Sequence, residues 1–218
     1  NKNYKDHYRR RYGYTITSIM TSRGCPFSCD FCSRPVFGNR FRSRSPANIL
    51  DEVESISRLG YDRVWFADDC FTLDREQLIG VCELMIKRAT KVDWECLSRV
   101  DTVGREVAGK MKQAGCARVF FGLESGNDSV LAIMNKGIST RESRRAVELM
   151  KLSGIEVGAF FIIGYPGETD ETVLETVRFA SSLPLDYLSF TLPYPIPGTN
   201  LYEKVKDRIK GDRWETSR

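Results

Sequence analysis

The sequence predicts an α/β fold of parallel strands: an open, partial (β/α)6 TIM-like barrel. Three observations carry that expectation. Six short β-rich runs alternate with longer amphipathic stretches, the rhythm of repeated strand–helix units. Several runs, such as Val119-Phe120-Phe121 and Ala159-Phe160-Phe161-Ile162-Ile163, are apolar almost throughout, as strands covered on both faces should be. Polar residues and glycines gather just after the runs: a cysteine loop, Asp68-Asp69, Ser98-Arg99, Glu124-Ser125-Gly126 and Gly164-Tyr165-Pro166-Gly167-Glu168. A doubly wound sheet fits the same rhythm. Loops converging on one centre favour the barrel, whose sites form at the C-terminal edge of the strands, although six units cannot close the eight-fold version.

In chain order, the first strand is expected over Thr15–Thr21. Ser45 then Pro46 reads as an N-cap and first helical residue, and Gly60 stops that helix. A strand over Arg63–Ala67 precedes Asp74-x-x-Gln77, which has the form of a capping box. Strands over Asp93–Leu97 and Arg118–Gly122 flank a helix ended by Gly115. Ser139-x-x-Glu142 opens a helix that Gly154 ends, and the last strands fall at Glu156–Ile163 and Tyr187–Leu192. Residues 1–14 are basic without clear periodicity and read as a linker or N-terminal extension. Residues 15–208 form the barrel, and 209–218 a polar, truncated tail.

A chain of 218 residues can build one sizeable core. Its 41% hydrophobic and 28% charged residues are ordinary for a globular protein. A net charge of +4 is too mild to argue for nucleic acid, which is not an expected partner. No apolar run approaches the roughly 20 residues of a membrane span. No signal-like segment opens the sequence, and free thiols imply a reducing compartment, so the cytoplasm is the expected location. The sequence starts at Asn1 rather than methionine, which suggests a piece of a longer protein.

The most informative feature is the run Arg23-Gly24-Cys25-Pro26-Phe27-Ser28-Cys29-Asp30-Phe31-Cys32, spaced C-x3-C-x2-C. Three thiolates on one tight loop can hold three corners of a 4Fe-4S cluster. With no fourth cysteine nearby, the fourth iron stays open to a non-protein ligand. A structural zinc site would want a fourth ligand, and the only histidine is His7. A disulfide framework fits poorly with seven cysteines, an odd number.

With that loop opening the first strand–helix unit, the chain resembles the radical S-adenosylmethionine enzymes from about Thr15 to Tyr202. Several stretches are similar to the cobalamin-dependent branch: Arg23–Phe27, Phe66–Thr72, Gly122–Gly126, Ile163–Thr169 and Pro195–Thr199. The resemblance implies a 4Fe-4S cluster on Cys25, Cys29 and Cys32 whose open iron chelates S-adenosylmethionine. One electron cleaves the sulfonium, and a 5′-deoxyadenosyl radical abstracts hydrogen from the substrate. It also implies an electron donor such as flavodoxin or ferredoxin, a small-molecule or lipid-like substrate, and cobalamin held by a domain absent from this chain.

Residue roles follow from the same resemblance. Phe31 lies beside the adenine. Asp68 and Asp69 replace the family's Gly-Gly-Glu segment at the methionyl amino group, and the sequence does not say which of them acts. Glu124 accepts from the ribose hydroxyls, and Arg99 or Lys136 pairs with the carboxylate. Gly164 and Gly167 let backbone approach the adenosine. Each has a plainer reading: loop cap for the aspartates, helix-start residue for Glu124, tight turn for the glycines, solvated cation for Arg99 and Lys136. Cys82 and Cys116 read as packing residues, and Cys70 as a weak candidate for the site. Two further function classes stay open: a methylthiotransferase-like enzyme acting on tRNA or protein, and a non-catalytic iron–sulfur electron carrier.

Overall fold

The computed structural model describes residues 2–33 and 40–209. Its elements are α1 (Lys2–Tyr12), β1 (Ile16–Ile19), β2 (Ser22–Arg23), β3 (Arg42–Ser43), α2 (Pro46–Arg58), β4 (Arg63–Phe66), α3 (Arg75–Lys87) and β5 (Asp93–Ser98). They continue with α4 (Arg105–Gln113), β6 (Cys116–Glu124), α5 (Asp128–Ile133), α6 (Thr140–Leu152), β7 (Glu156–Ile162), α7 (Asp170–Ser181), β8 (Tyr187–Thr191) and α8 (Asn200–Val205). Six strands form one sheet in the order β1-β4-β5-β6-β7-β8, every pair parallel. Each strand lies beside the one before it in the unit series, so the sheet is the open partial barrel the sequence predicts. All but one residue of the expected tail lies outside the described residues.

One face of the sheet is covered by helices. Val64, Phe66, Trp94, Cys96, Val119, Phe121, Val157 and Phe161 meet the apolar stripes of α2, α3, α4 and α6 in a single buried cluster. Each such side chain contributes about 1.5–3 kcal/mol on full burial. Phe66 and Phe71 stack at 4.1 Å, and the Trp94 indole donates to the Ala114 carbonyl at 2.8 Å, so its polar edge is satisfied. On the concave face Phe120 and Phe160 stack at 5.5 Å. Gly158 makes room for them, because a Cβ there would stand 2.2 Å from the Phe120 ring.

The helix ends follow local chemistry. Ser45 accepts from the Asn48 amide and Asp74 from the Gln77 amide. The Gln77 side chain reaches the Arg44 carbonyl rather than back to the cap, so only half of that expected capping box forms. Ser139 and Glu142 form the full box. Gly60, Gly115 and Gly154 take positive φ just past their helices.

Two departures have physical causes. β1 stops at Ile19, short of Thr21, because the Thr21 and Ser22 amides turn to the Asp68 carboxylate instead of a strand partner. The segment read as lacking periodicity is helix α1. Its stripe is aromatic rather than aliphatic: Tyr4, Tyr8 and Tyr12 face the concave side of the sheet and share a cavity with Trp65 and Phe120.

Three aspartates tie loops to the frame. Burial alone would raise the Asp62 carboxyl, but hydrogen bonds from Arg9 and Thr15 outweigh it and hold it below the usual range. Burial is likewise outweighed at Asp186 by Lys151 and the Val157 amide, and at Asp30 by Asn200 and Lys204. A depressed carboxyl stabilises the fold above its unfolded value of about 3.9 and loses that contribution as pH falls through the folded value. Urea midpoints should therefore drop between about pH 5 and about pH 3, and Asp186→Asn should flatten that drop. An unchanged pH slope in the variant would count against the assignment.

Candidate functional site

The cysteine loop is clasped at its base and pinned at its tip. β2 and β3 pair antiparallel on either side of it. At the base, the buried Asp68 carboxylate accepts from the Thr21 amide at 2.6 Å, the Ser22 amide at 2.9 Å and the Thr21 hydroxyl. Further along, the Asp30 amide donates to the Met134 carbonyl at 3.0 Å and the Asn135 side chain to the Ser28 carbonyl at 2.8 Å. The Leu201 amide donates to the Asp30 carbonyl at 2.9 Å, which brings α8 onto the loop. Asn135 sits at φ 51°, a conformation asparagine tolerates better than most side chains.

Cys25, Cys29 and Cys32 line one cavity of about 240 Å³ at the C-terminal edge of the strands. Asp69 and Cys70 reach it from the end of β4, Ser98 and Arg99 from β5, Gly122 and Glu124 from β6, and Lys136 from beyond α5. Phe31 forms part of the wall, edge-on to Tyr165 at 6.5 Å. Of the residues singled out in the sequence, Phe31, Asp69, Arg99, Glu124 and Lys136 thus meet the three cysteines.

The two aspartates part company. Asp68 is spent on the loop base, whereas Asp69 is exposed at the cavity. Although its surface is open to the cavity, partial desolvation by the surrounding atoms, and then the neighbouring Asp68 charge, raise the Asp69 carboxyl. Glu124 and Lys136 form a buried ion pair at 2.7 Å, each side chain 8% exposed. Glu124 ends β6 at φ 65°, beside a break in the strand register. Gly122 is required there, since a Cβ would come within 2.3 Å of the Glu124 Oε1 and 3.0 Å of the Lys136 Nζ. Arg99 is held by Asp101 through two bonds of 2.9 and 2.8 Å, and it also donates to the Lys136 carbonyl at 3.0 Å. Burial works against its charge, and Asp101 more than offsets that.

Gly164 and Gly167 do not line this cavity. They shape a turn at φ 80° and 99°, closed by the Tyr165 amide on Glu168 at 2.7 Å and the Glu168 amide on the Tyr165 carbonyl at 2.9 Å. The turn touches the site through Tyr165, packed beside Phe31 with Val130, Met134, Ile162 and Leu201. Sequence reasoning underrated Cys70, which lines the cavity, and missed Gly122; both matter through neighbours that only the fold supplies. Cys82, Cys96 and Cys116 are buried in the main core, and burial pushes the Cys82 thiol up to about 12.

The donor set fits an iron–sulfur cluster. Burial raises the Cys25 thiol, a backbone hydrogen bond from Phe27 only partly offsets this, and the Cys70, Cys32 and Cys29 sulfurs add to the rise, so an adjoining cation favours the Cys25 thiolate. Iron supplies one, and metal binding would release the protons. Among the described residues no three metal-ligating side chains gather as they would around a single ion. A cubane binds its three thiolates at separate iron corners and asks instead for sulfurs set apart around one cavity.

Residues 19–180 match the radical SAM superfamily. The chain is 40% identical over 193 residues to an uncharacterised methyltransferase of Pyrococcus horikoshii, covering 88% of this chain and 42% of that protein. It is 32% identical over 213 residues to the anaerobic magnesium-protoporphyrin IX monomethyl ester cyclase of Cereibacter sphaeroides, covering 95% of this chain and 35% of the cyclase. Among solved structures, the radical S-adenosylmethionine methyltransferase TsrM of Kitasatospora setae superposes with a TM-score of 0.85 at 24% identity, over 94% of this chain and 40% of that one. The chain therefore spans well under half the length of these relatives.

Proposed function

The chain belongs to the radical S-adenosylmethionine superfamily, and from that premise we propose that its cavity is where S-adenosylmethionine is bound and reductively cleaved. The observation that carries this reading is the meeting of Cys25, Cys29 and Cys32 with Asp69, Glu124 and Lys136 around one cavity at the strand ends. When bound, the cluster supplies one electron to the sulfonium, so that a 5′-deoxyadenosyl radical can take hydrogen from an organic substrate.

The protein's part is orientation and electrostatics. Asp69 is the aspartate available to accept from the methionyl amino group, because Asp68 is committed to Thr21 and Ser22. Glu124 would accept from the ribose hydroxyls, and Lys136 would steady that carboxylate rather than leave it for the ligand's own. Phe31 would flank the adenine. Gly164 and Gly167 would act indirectly, by setting Tyr165 against Phe31.

For the whole protein we propose a cobalamin-dependent methylation or ring closure on a small, planar or lipid-like molecule. A flavodoxin- or ferredoxin-type donor would supply the electrons, in the cytoplasm. Relatives that are named methyltransferase and cyclase support this, as does a second structure of TsrM, which holds cobalamin and a 4Fe-4S cluster. Cobalamin would be held by a domain outside these 218 residues. No described helix is long and apolar enough to cross a membrane.

The test is an anaerobic assay of the reconstituted chain with dithionite and S-adenosylmethionine. Slow formation of 5′-deoxyadenosine and methionine without added substrate is expected. An intact cluster that yields neither, and whose spectrum ignores S-adenosylmethionine, would turn the reading to an electron carrier.

A further inference from the structure

Arg99 is held more firmly than a residue waiting for a ligand. Its side chain is 7% exposed. Two guanidinium nitrogens fork onto Asp101, one of them also donates to the Lys136 carbonyl, and Cζ lies 3.6 Å from the Phe27 ring centroid. The remaining nitrogen, Nη1, donates to the Cys29 Sγ at 3.7 Å, within reach of so large an acceptor. Nothing in this arrangement needs S-adenosylmethionine to be present. The planar fork explains why arginine stands here, since a lysine ammonium could not hold Asp101 and Cys29 in fixed directions together.

We propose that Arg99 is a positioning residue that sets the reduction potential of the cluster through its hydrogen bond to the Cys29 sulfur. The inference rests on the cluster reading of the three cysteines. On reduction the cluster accepts one electron from a low-potential donor such as dithionite, and the site gains one negative charge. A fixed cation and an N–H bond at a ligating sulfur favour the more negative state, and hydrogen bonds to the sulfurs are among the factors that set such potentials. Arg99 therefore raises the potential and eases reduction. Asp101 and Phe27 serve by keeping the guanidinium in place.

The experiment is a potentiometric titration of the reconstituted protein, followed by the paramagnetic signal of the reduced cluster, for wild type, Arg99→Met and Arg99→Lys. Arg99→Met should keep its iron and become at least about tenfold harder to reduce, which is about 59 mV for a one-electron couple. Arg99→Lys, retaining the charge but not the fork, should fall between. Equal midpoints in wild type and Arg99→Met, both with full iron, would overturn the proposal and leave the cluster reading intact. Wild type without iron would overturn both. If Arg99→Met fails to hold iron, the wild type decides: with nitrogen-15-labelled arginine, pulsed paramagnetic resonance of the reduced cluster should show a guanidinium nitrogen coupling. Its absence would overturn the proposal.

Discussion

Lys136→Met is expected to destabilise the fold by about 3–5 kcal/mol, the cost of leaving one partner of a buried ion pair without its counter-charge. The pair is well enclosed: each side chain is 8% exposed, Nζ and Oε1 lie 2.7 Å apart, and the two fill the space that the missing side chain of Gly122 leaves. The methionine keeps the apolar stem of the lysine, so the loss reports on charge rather than packing. Combining it with Glu124→Gln removes both charges, and urea unfolding of the double variant should recover much of the stability. Losses that simply add would show that the two charges are not coupled. Glu124→Gln alone should weaken S-adenosylmethionine binding by about tenfold or more, the equivalent of a lost charge-assisted hydrogen bond of roughly 1.5–3 kcal/mol.

The frame of the site was legible in the sequence because its signals are local. Runs such as Val119-Phe120-Phe121 announce a buried strand, Ser139 and Glu142 cap a helix within one turn, and the cysteine spacing is confined to one loop. Helix α1 escaped because its stripe of Tyr4, Tyr8 and Tyr12 is aromatic and is interrupted by Arg9, Arg10 and Arg11. The division of labour between Asp68 and Asp69 could not be read from adjacent identical residues; it is decided by where the Thr21 and Ser22 amides fall.

Longer-range pairings were beyond the sequence for the same reason. Lys136 and Glu124 meet from positions 12 residues apart across a turn and a short helix, and Arg99 meets Cys29 from 70 residues away. Sequence position suggested that either cation would take a ligand carboxylate. The fold gives each a protein partner as well, Glu124 for one and Asp101 for the other. The glycine turn at Gly164 and Gly167 shows the converse: its backbone demand was readable, but its distance from the cavity was not.

Cys25, Cys29 and Cys32, and not the four other cysteines, are expected to hold the cluster. All seven are free thiols, but only those three stand on the loop that β2 and β3 clasp. Cys82 and Cys116 are sealed in the core, where burial holds their thiols protonated and leaves no room for iron. The direct measurement is iron and acid-labile sulfide per chain after anaerobic reconstitution, for the wild type and single alanine variants. The expected result is about four of each for the wild type, Cys82→Ala and Cys116→Ala, with stable cluster lost in Cys25→Ala, Cys29→Ala and Cys32→Ala. Full iron loading in any of those last three variants, or one tightly held zinc and no sulfide in the wild type, would contradict it.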